Sequence, residues 1–141
     1  MSTLSPAVHL LFPLVAGETR LVIPLEETVL SAALKPASDR SQRLIVFVHG
    51  AASNASRWEE FVDTTALSQR WTLVRFDLRG HGASPARRPG RLENYADDIA
   101  AVIGAAGAHG PIVVVGHSLG AAAALVLARR FPAHCQWAYS D

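Results

Sequence analysis

Residues 116–120 read Gly-His-Ser-Leu-Gly, preceded at 112–115 by Ile-Val-Val-Val and followed at 121–124 by four alanines. A serine flanked two residues away on each side by glycine is a weak signal by itself. Its position between a β-branched run and a helix-forming run makes it informative, because a sharp strand-to-helix turn can lift a side chain above a sheet. Such a turn brings the residues two before and two after it into close approach, and Gly116 and Gly120 remove the clash. Ser118 itself would then occupy a strained backbone region, at about 1–3 kcal/mol. The chemistry this suits is nucleophilic attack on a carbonyl. The free N–H of Leu119 at the helix start would favour the negative charge that develops on the substrate oxygen. A second donor is expected from a neighbouring strand's loop, and His49-Gly50-Ala51 supplies the Ala51 N–H.

A serine hydroxyl also needs a base. Histidines stand at 9, 49, 81, 109, 117 and 134. His117 directly precedes Ser118, so its side chain is expected to point elsewhere, in a packing or loop role. His49 is read as structural for the same reason. His81 lies in the Gly/Pro-rich stretch 78–90, where lining or bracing the site's mouth outweighs proton transfer. Gly50, His81 and His117 are therefore expected to line the site. No histidine pair has helical ligand spacing with a carboxylate nearby, and neither a metal nor an organic cofactor is expected. His134 beside Cys135 reads as structural, and the single cysteine can form no internal disulfide.

Thirteen basic and twelve acidic residues leave a net charge of +1, which gives no electrostatic reason to expect nucleic acid. Arg87, Arg88 and Arg91 form one basic cluster, read as a solvated loop. Residues 7–17 are apolar but interrupted by Pro13 and not preceded by Lys or Arg. They fit neither a secretory signal nor a membrane span, and a cytoplasmic location is expected. The pattern Asn54-Ala55-Ser56 is read as a chance glycosylation match.

The elements that must position these residues follow from periodicity. Residues 1–18 show no clear period and are read as a loosely ordered arm before a core at 19–141. Segments 19–25 and 28–35 predict two short strands in an edge hairpin that tolerates Pro24. Residues 43–50 predict a strand buried on both faces. A helix is predicted over 56–70, with Ser56 as N-cap and Glu59 completing a capping box. A strand over 71–77, a long loop, a helix over 91–108, a buried strand at 111–115 and a helix over 118–131 complete the order, with one more strand possible at 136–140. Strand and helix alternate after the hairpin, which predicts an α/β fold with a mostly parallel central sheet and helices on both faces.

"VFVHG", "FDLRGHGAS" and "VVVGHSLGAAAAL", in this order and spacing, resemble three motifs of the α/β-hydrolase fold superfamily, above all its esterases, lactonases and related single-domain hydrolases. The resemblance implies that Ser118 is the nucleophile and that the N–H groups of Ala51 and Leu119 form the oxyanion hole. It also implies that Asp77, Arg79, Gly80, His81, Gly82 and Ser84 shape and brace the mouth of the site. It covers roughly residues 19–131, the N-terminal half of a family member. In the family the catalytic acid follows the sixth or seventh strand and the catalytic histidine the eighth. Asp141 matches an acidic residue that often closes the sixth strand but, as a terminus, is not assigned a role. The expectation is a truncated serine hydrolase of a small carboxylic ester or related acyl substrate, feeble or inactive without acid and base. The chain is read either as a piece of a longer hydrolase or as a complete short protein that keeps the serine and oxyanion hole but lacks acid and base, and the competing class is a non-catalytic remnant or interaction module on the same scaffold. An exposed sheet edge would then invite self-association or a complementing partner.

Overall fold

A computed structural model describes residues 4–131. Five strands, β1 (Thr19–Pro24), β2 (Val29–Lys35), β3 (Leu44–Val48), β4 (Thr72–Phe76) and β5 (Ile112–Gly116), form one sheet in the order β1-β2-β4-β3-β5. The sheet is mixed: β1 and β2 make the expected antiparallel hairpin, β2 also pairs antiparallel with β4, and β4, β3 and β5 run parallel. Parallel neighbours require crossovers, and three helices supply or follow them: α1 (Glu59–Thr64), α2 (Leu92–Ala106) and α3 (Leu119–Arg130).

β3 is buried along its whole length, so its alternating side chains divide between two layers. Leu44, Val46 and Val48 pack with Ile99 and Val102 of α2 and Ala123 and Leu127 of α3. On the opposite face Ile45 and Phe47 meet Val62 of α1 and Leu73 of β4, with Trp58 against the Phe47 ring at 5.3 Å. Gly107, in the left-handed region at φ 68°, closes α2 where a side chain would be strained.

Two expectations are corrected. The helix predicted over 56–70 is broken into a 3-10 turn (Ala55–Trp58), the short α1 and a second 3-10 turn (Ala66–Gln69). Its cap is Asn54, whose side chain accepts from the Ser56 N–H, and Thr65 accepts from Leu67 N–H to start the last turn. Two local side-chain acceptors thus compete with a continuous helix. β5, expected to be buried, leaves Ile112 and Val113 about 40% exposed, because among the described residues β3 is its one strand neighbour. In the segment before β1, Phe12 is buried with Ala33 and Ala55 and Val15 joins the α1 layer, while Val8, Leu10 and Leu14 stay exposed. The strand expected at 136–140, together with His134, Cys135 and Asp141, lies outside the described residues.

Candidate active site

β5 ends at Gly116 and α3 begins at Leu119, so two residues make the whole turn. Ser118 sits at its apex, exposed, with φ 55° and ψ −114°, a conformation L-residues rarely adopt. The glycines explain how the turn closes. A Cβ on Gly116 would stand 2.5 Å from Ala121 N, and one on Gly120 2.4 Å from Val48 O and 2.6 Å from His49 O. Both clashes are with backbone that cannot give way. Among the described residues the turn is held by main-chain bonds: His117 N donates to Val48 O at 3.0 Å, Gly120 N to His117 O at 2.9 Å and Ala122 N to Ser118 O at 3.1 Å. No side chain caps α3, and of its first two N–H groups Gly120's is taken by His117 O while Leu119's has no partner among the described residues.

The loop leaving β3 lies against this turn. A Cβ on Gly50 would come within 3.0 Å of His117 Nδ1, 3.2 Å of His117 O and 3.3 Å of Ser118 Cβ, so the glycine keeps the two backbones in close contact without crowding. The next residues, Ala51 and Ala52, are exposed, and Ala52 carries a positive φ of 55°. No hydrogen bond to a described residue satisfies the N–H of Ala51 or Leu119. His49 is fully buried: its Nδ1 lies 2.7 Å from Gly50 O and its Nε2 accepts from Leu78 N–H at 3.0 Å. Those partners define the neutral tautomer with the proton on Nδ1. Burial, opposed by the Gly50 bond and helped by nearby His81, holds its pKa down at about 4. His49 is thus a bridge between two loops, with both nitrogens engaged.

The loop after β4 is braced by buried carboxylates. Asp77 accepts from Ala55 N at 2.7 Å through Oδ1 and from Ala83 N at 2.9 Å through Oδ2. Gly82 is obligatory beside it, since a Cβ there would lie 2.3 Å from Oδ2. Arg79 is gripped by Asp98 of α2 through three bonds, Nε to Oδ1 at 2.9 Å, NH2 to Oδ1 at 2.7 Å and backbone N to Oδ2 at 2.9 Å. Burial pushes both the Asp77 and the Asp98 carboxyls up, against the hydrogen bonds that pull them down. Gly80 N donates to Ser84 O at 2.7 Å, and Ser84 Oγ accepts from Ser31 N at 2.9 Å.

The structure therefore brings Gly50, Ala51, His117, Ser118 and Leu119 together. His81 is half-buried in the bracing loop, with Nδ1 3.0 Å from Arg79 O and its ring 5.1 Å from that of His49. His117 Nδ1 is buried without a hydrogen-bond partner among the described residues. Among those residues no histidine or carboxylate hydrogen-bonds to Ser118. Nor are three His, Cys, Asp or Glu side chains grouped to hold a metal, and no helix is long and apolar enough to cross a membrane. Two open grooves, of about 350 and 520 Å³, lie at the opposite end of the parallel strands around Arg40 and Thr72 and around Arg43 and Trp71. Asp98 is the functional-site residue that the sequence reading missed. Its signal was a charge placed between Tyr95 and Val102 on the apolar stripe of its helix.

Residues 43–140 match the family model of the α/β hydrolase fold. Over 90 residues the chain is 41% identical to 2-(acetamidomethylene)succinate hydrolase of Mesorhizobium japonicum, covering 63% of this chain and 31% of that protein. It is 35% identical over 88 residues to a pimeloyl-[acyl-carrier protein] methyl ester esterase of Neisseria meningitidis, covering 62% and 31%. The crystal structure of E-2-(acetamidomethylene)succinate hydrolase superposes with a TM-score of 0.69 at 33% identity, covering 82% of this chain and 41% of that one. The chain thus spans about a third of the length of the curated relatives it matches.

Proposed function

The chain belongs to the α/β-hydrolase fold family, and from that premise we propose that it carries the nucleophile and oxyanion hole of a hydrolase acting on a carboxylic ester or related acyl substrate. Ser118 Oγ attacks the carbonyl carbon, and the N–H groups of Ala51 and Leu119 receive the oxyanion. The observation that carries this reading is the apex serine at φ 55° and ψ −114°, set against Gly50 beside two N–H groups with no described partner. A strained, exposed serine held by its neighbours is a costly arrangement that a merely structural turn does not need. The relatives named above hydrolyse an acetamidomethylene succinate and a methyl ester, which supports the acyl class and leaves the leaving group open.

Activation of Ser118 requires a base. His49 has both ring nitrogens engaged, and His81 bonds within its own loop. On the family resemblance, the base and its acid partner are proposed to come from outside residues 4–131. The oxyanion hole and binding alone can leave about 10³- to 10⁴-fold catalysis over water, so the chain is expected to react slowly with an activated acyl mimic. The test is labelling by a fluorophosphonate probe with mass spectrometry of the modified peptide. Modification at Ser118 that Ser118→Ala abolishes is the expected result. A folded chain that shows no such labelling sinks the proposal.

A further inference from the structure

Below the site, on the α1 side of the sheet, a fully buried arginine ties three parts of the chain together. Arg75 of β4 is completely enclosed, and its Nε and NH2 engage both oxygens of buried Glu18, at 2.8 and 2.7 Å. NH2 also donates to Pro13 O at 2.8 Å, NH1 to Ala55 O at 3.1 Å, and the guanidinium lies 4.6 Å from the centre of the Phe12 ring. Glu18 in turn accepts from Val15 N–H at 2.8 Å. Every donor direction of the arginine that these contacts use leads either to the segment before β1 or to Ala55.

Ala55 is the far anchor of the loop that carries the Ala51 N–H. Its near anchor is His49 and Gly50 at the end of β3, so only residues 51–54 lie between two fixed points. Ala55 is held through its N–H by Asp77 and through its carbonyl by Arg75, and it is itself fully buried. The positive φ of Ala52 can persist only if both anchors hold. We propose that Glu18 and Arg75 are positioning residues for this loop, so that the segment before β1 clamps one wall of the site. The proposal rests, for its effect on chemistry, on the reading of Ala51 as an oxyanion donor.

The experiment compares the full chain with Glu18→Gln and with the double variant Glu18→Gln, Arg75→Met, by amide hydrogen exchange, thermal melting and fluorophosphonate labelling well below each melting temperature. Glu18→Gln is expected to speed exchange by about tenfold at Ala55, Ser56 and Arg57, whose hydrogen-bonded N–H groups mark the far anchor of the loop, while the 116–120 turn is unchanged, and to slow labelling by about 10²-fold, the scale of a lost oxyanion donor. The double variant removes the orphaned buried charge, so its melting temperature recovers. Its Ala55 carbonyl now lacks the guanidinium altogether, so labelling stays slow. Labelling that recovers in step with the melting temperature would mean that the pair only stabilises the fold, and the proposal would fall. It falls equally if exchange at residues 55–57 does not change in Glu18→Gln. If the unaltered chain is never labelled, it is the nucleophile reading that fails, and the exchange result alone decides the clamp.

Discussion

The loop after β4 and the turn after β5 flank the end of β3 and are held by opposite means. The first is braced by charge and by directed hydrogen bonds: Asp77 on two N–H groups, Asp98 on Arg79, His49 on Leu78. Among the described residues the second has no side-chain hydrogen bond, and its shape follows from what Gly116 and Gly120 lack. A charged brace is strong, directional and open to titration. A steric one is indifferent to pH and salt, and it leaves the Leu119 N–H without a described partner. The division assigns stability to one loop and reactive geometry to the other.

The largest effect is expected where the brace is ionic. Asp98→Ala would leave Arg79, 9% exposed, without its carboxylate and its backbone N–H without an acceptor. Removing one partner of a buried pair costs about 3–5 kcal/mol. The denaturation midpoint should fall accordingly with an unchanged m-value, and adding Arg79→Met should recover part of the loss. A cost below about 1 kcal/mol, typical of an exposed pair, would show that the loop is held by something other than charge.

Next in size is a pH effect confined to the braced side. His49, held at a pKa of about 4, stays neutral in the folded chain while the unfolded imidazole takes a proton near 6.5. Between those values the unfolded state binds more protons, so stability falls as pH drops through the window, by about 3 kcal/mol at its lower end. Asp77 and Asp98 work in the other sense. Their carboxyls, raised by burial, hold protons above the usual 3.8, so their contribution is fullest at low pH and is lost as pH rises through the raised values. The difference between the chain and His49→Gln isolates the histidine: it should shrink by about 3 kcal/mol from pH 6.5 to 4. A constant difference would remove His49 from the brace.

What could be read in the sequence follows the same division. The turn was legible because its determinants are local: a β-branched run, two glycines and alanines within a dozen residues. The brace was legible only in part. Asp77 and Arg79 stand in a recognisable motif, but Asp98 lies 19 residues from Arg79, and Glu18 and Arg75 are 57 apart. Partners that distant are chosen by the fold, and no period or spacing announces them. The break of the predicted 56–70 helix had a local cause in Asn54 and Thr65, which bond backbone groups more readily than they extend a helix. The exposure of β5 had none, since burial of a strand depends on its neighbours and β-branched residues suit a half-covered strand as well as an enclosed one.

The smallest predicted effect is also the one of opposite sign. At φ 55° and ψ −114° Ser118 holds backbone strain of about 1–3 kcal/mol that a residue without Cβ would not feel. Ser118→Gly would release that strain, offset by about 0.5–1 kcal/mol for glycine's greater freedom in the unfolded chain. The serine is exposed, so little packing is lost with its side chain. A net gain of about 1 kcal/mol is expected in urea denaturation, together with complete loss of fluorophosphonate labelling. Ser118→Ala keeps the Cβ and hence the strain, and should abolish labelling with stability unchanged. If glycine and alanine are equally stable, the turn holds no strain at its apex. Steric closure by Gly116 and Gly120 would then account for its shape without any cost that a nucleophile's placement would have to justify.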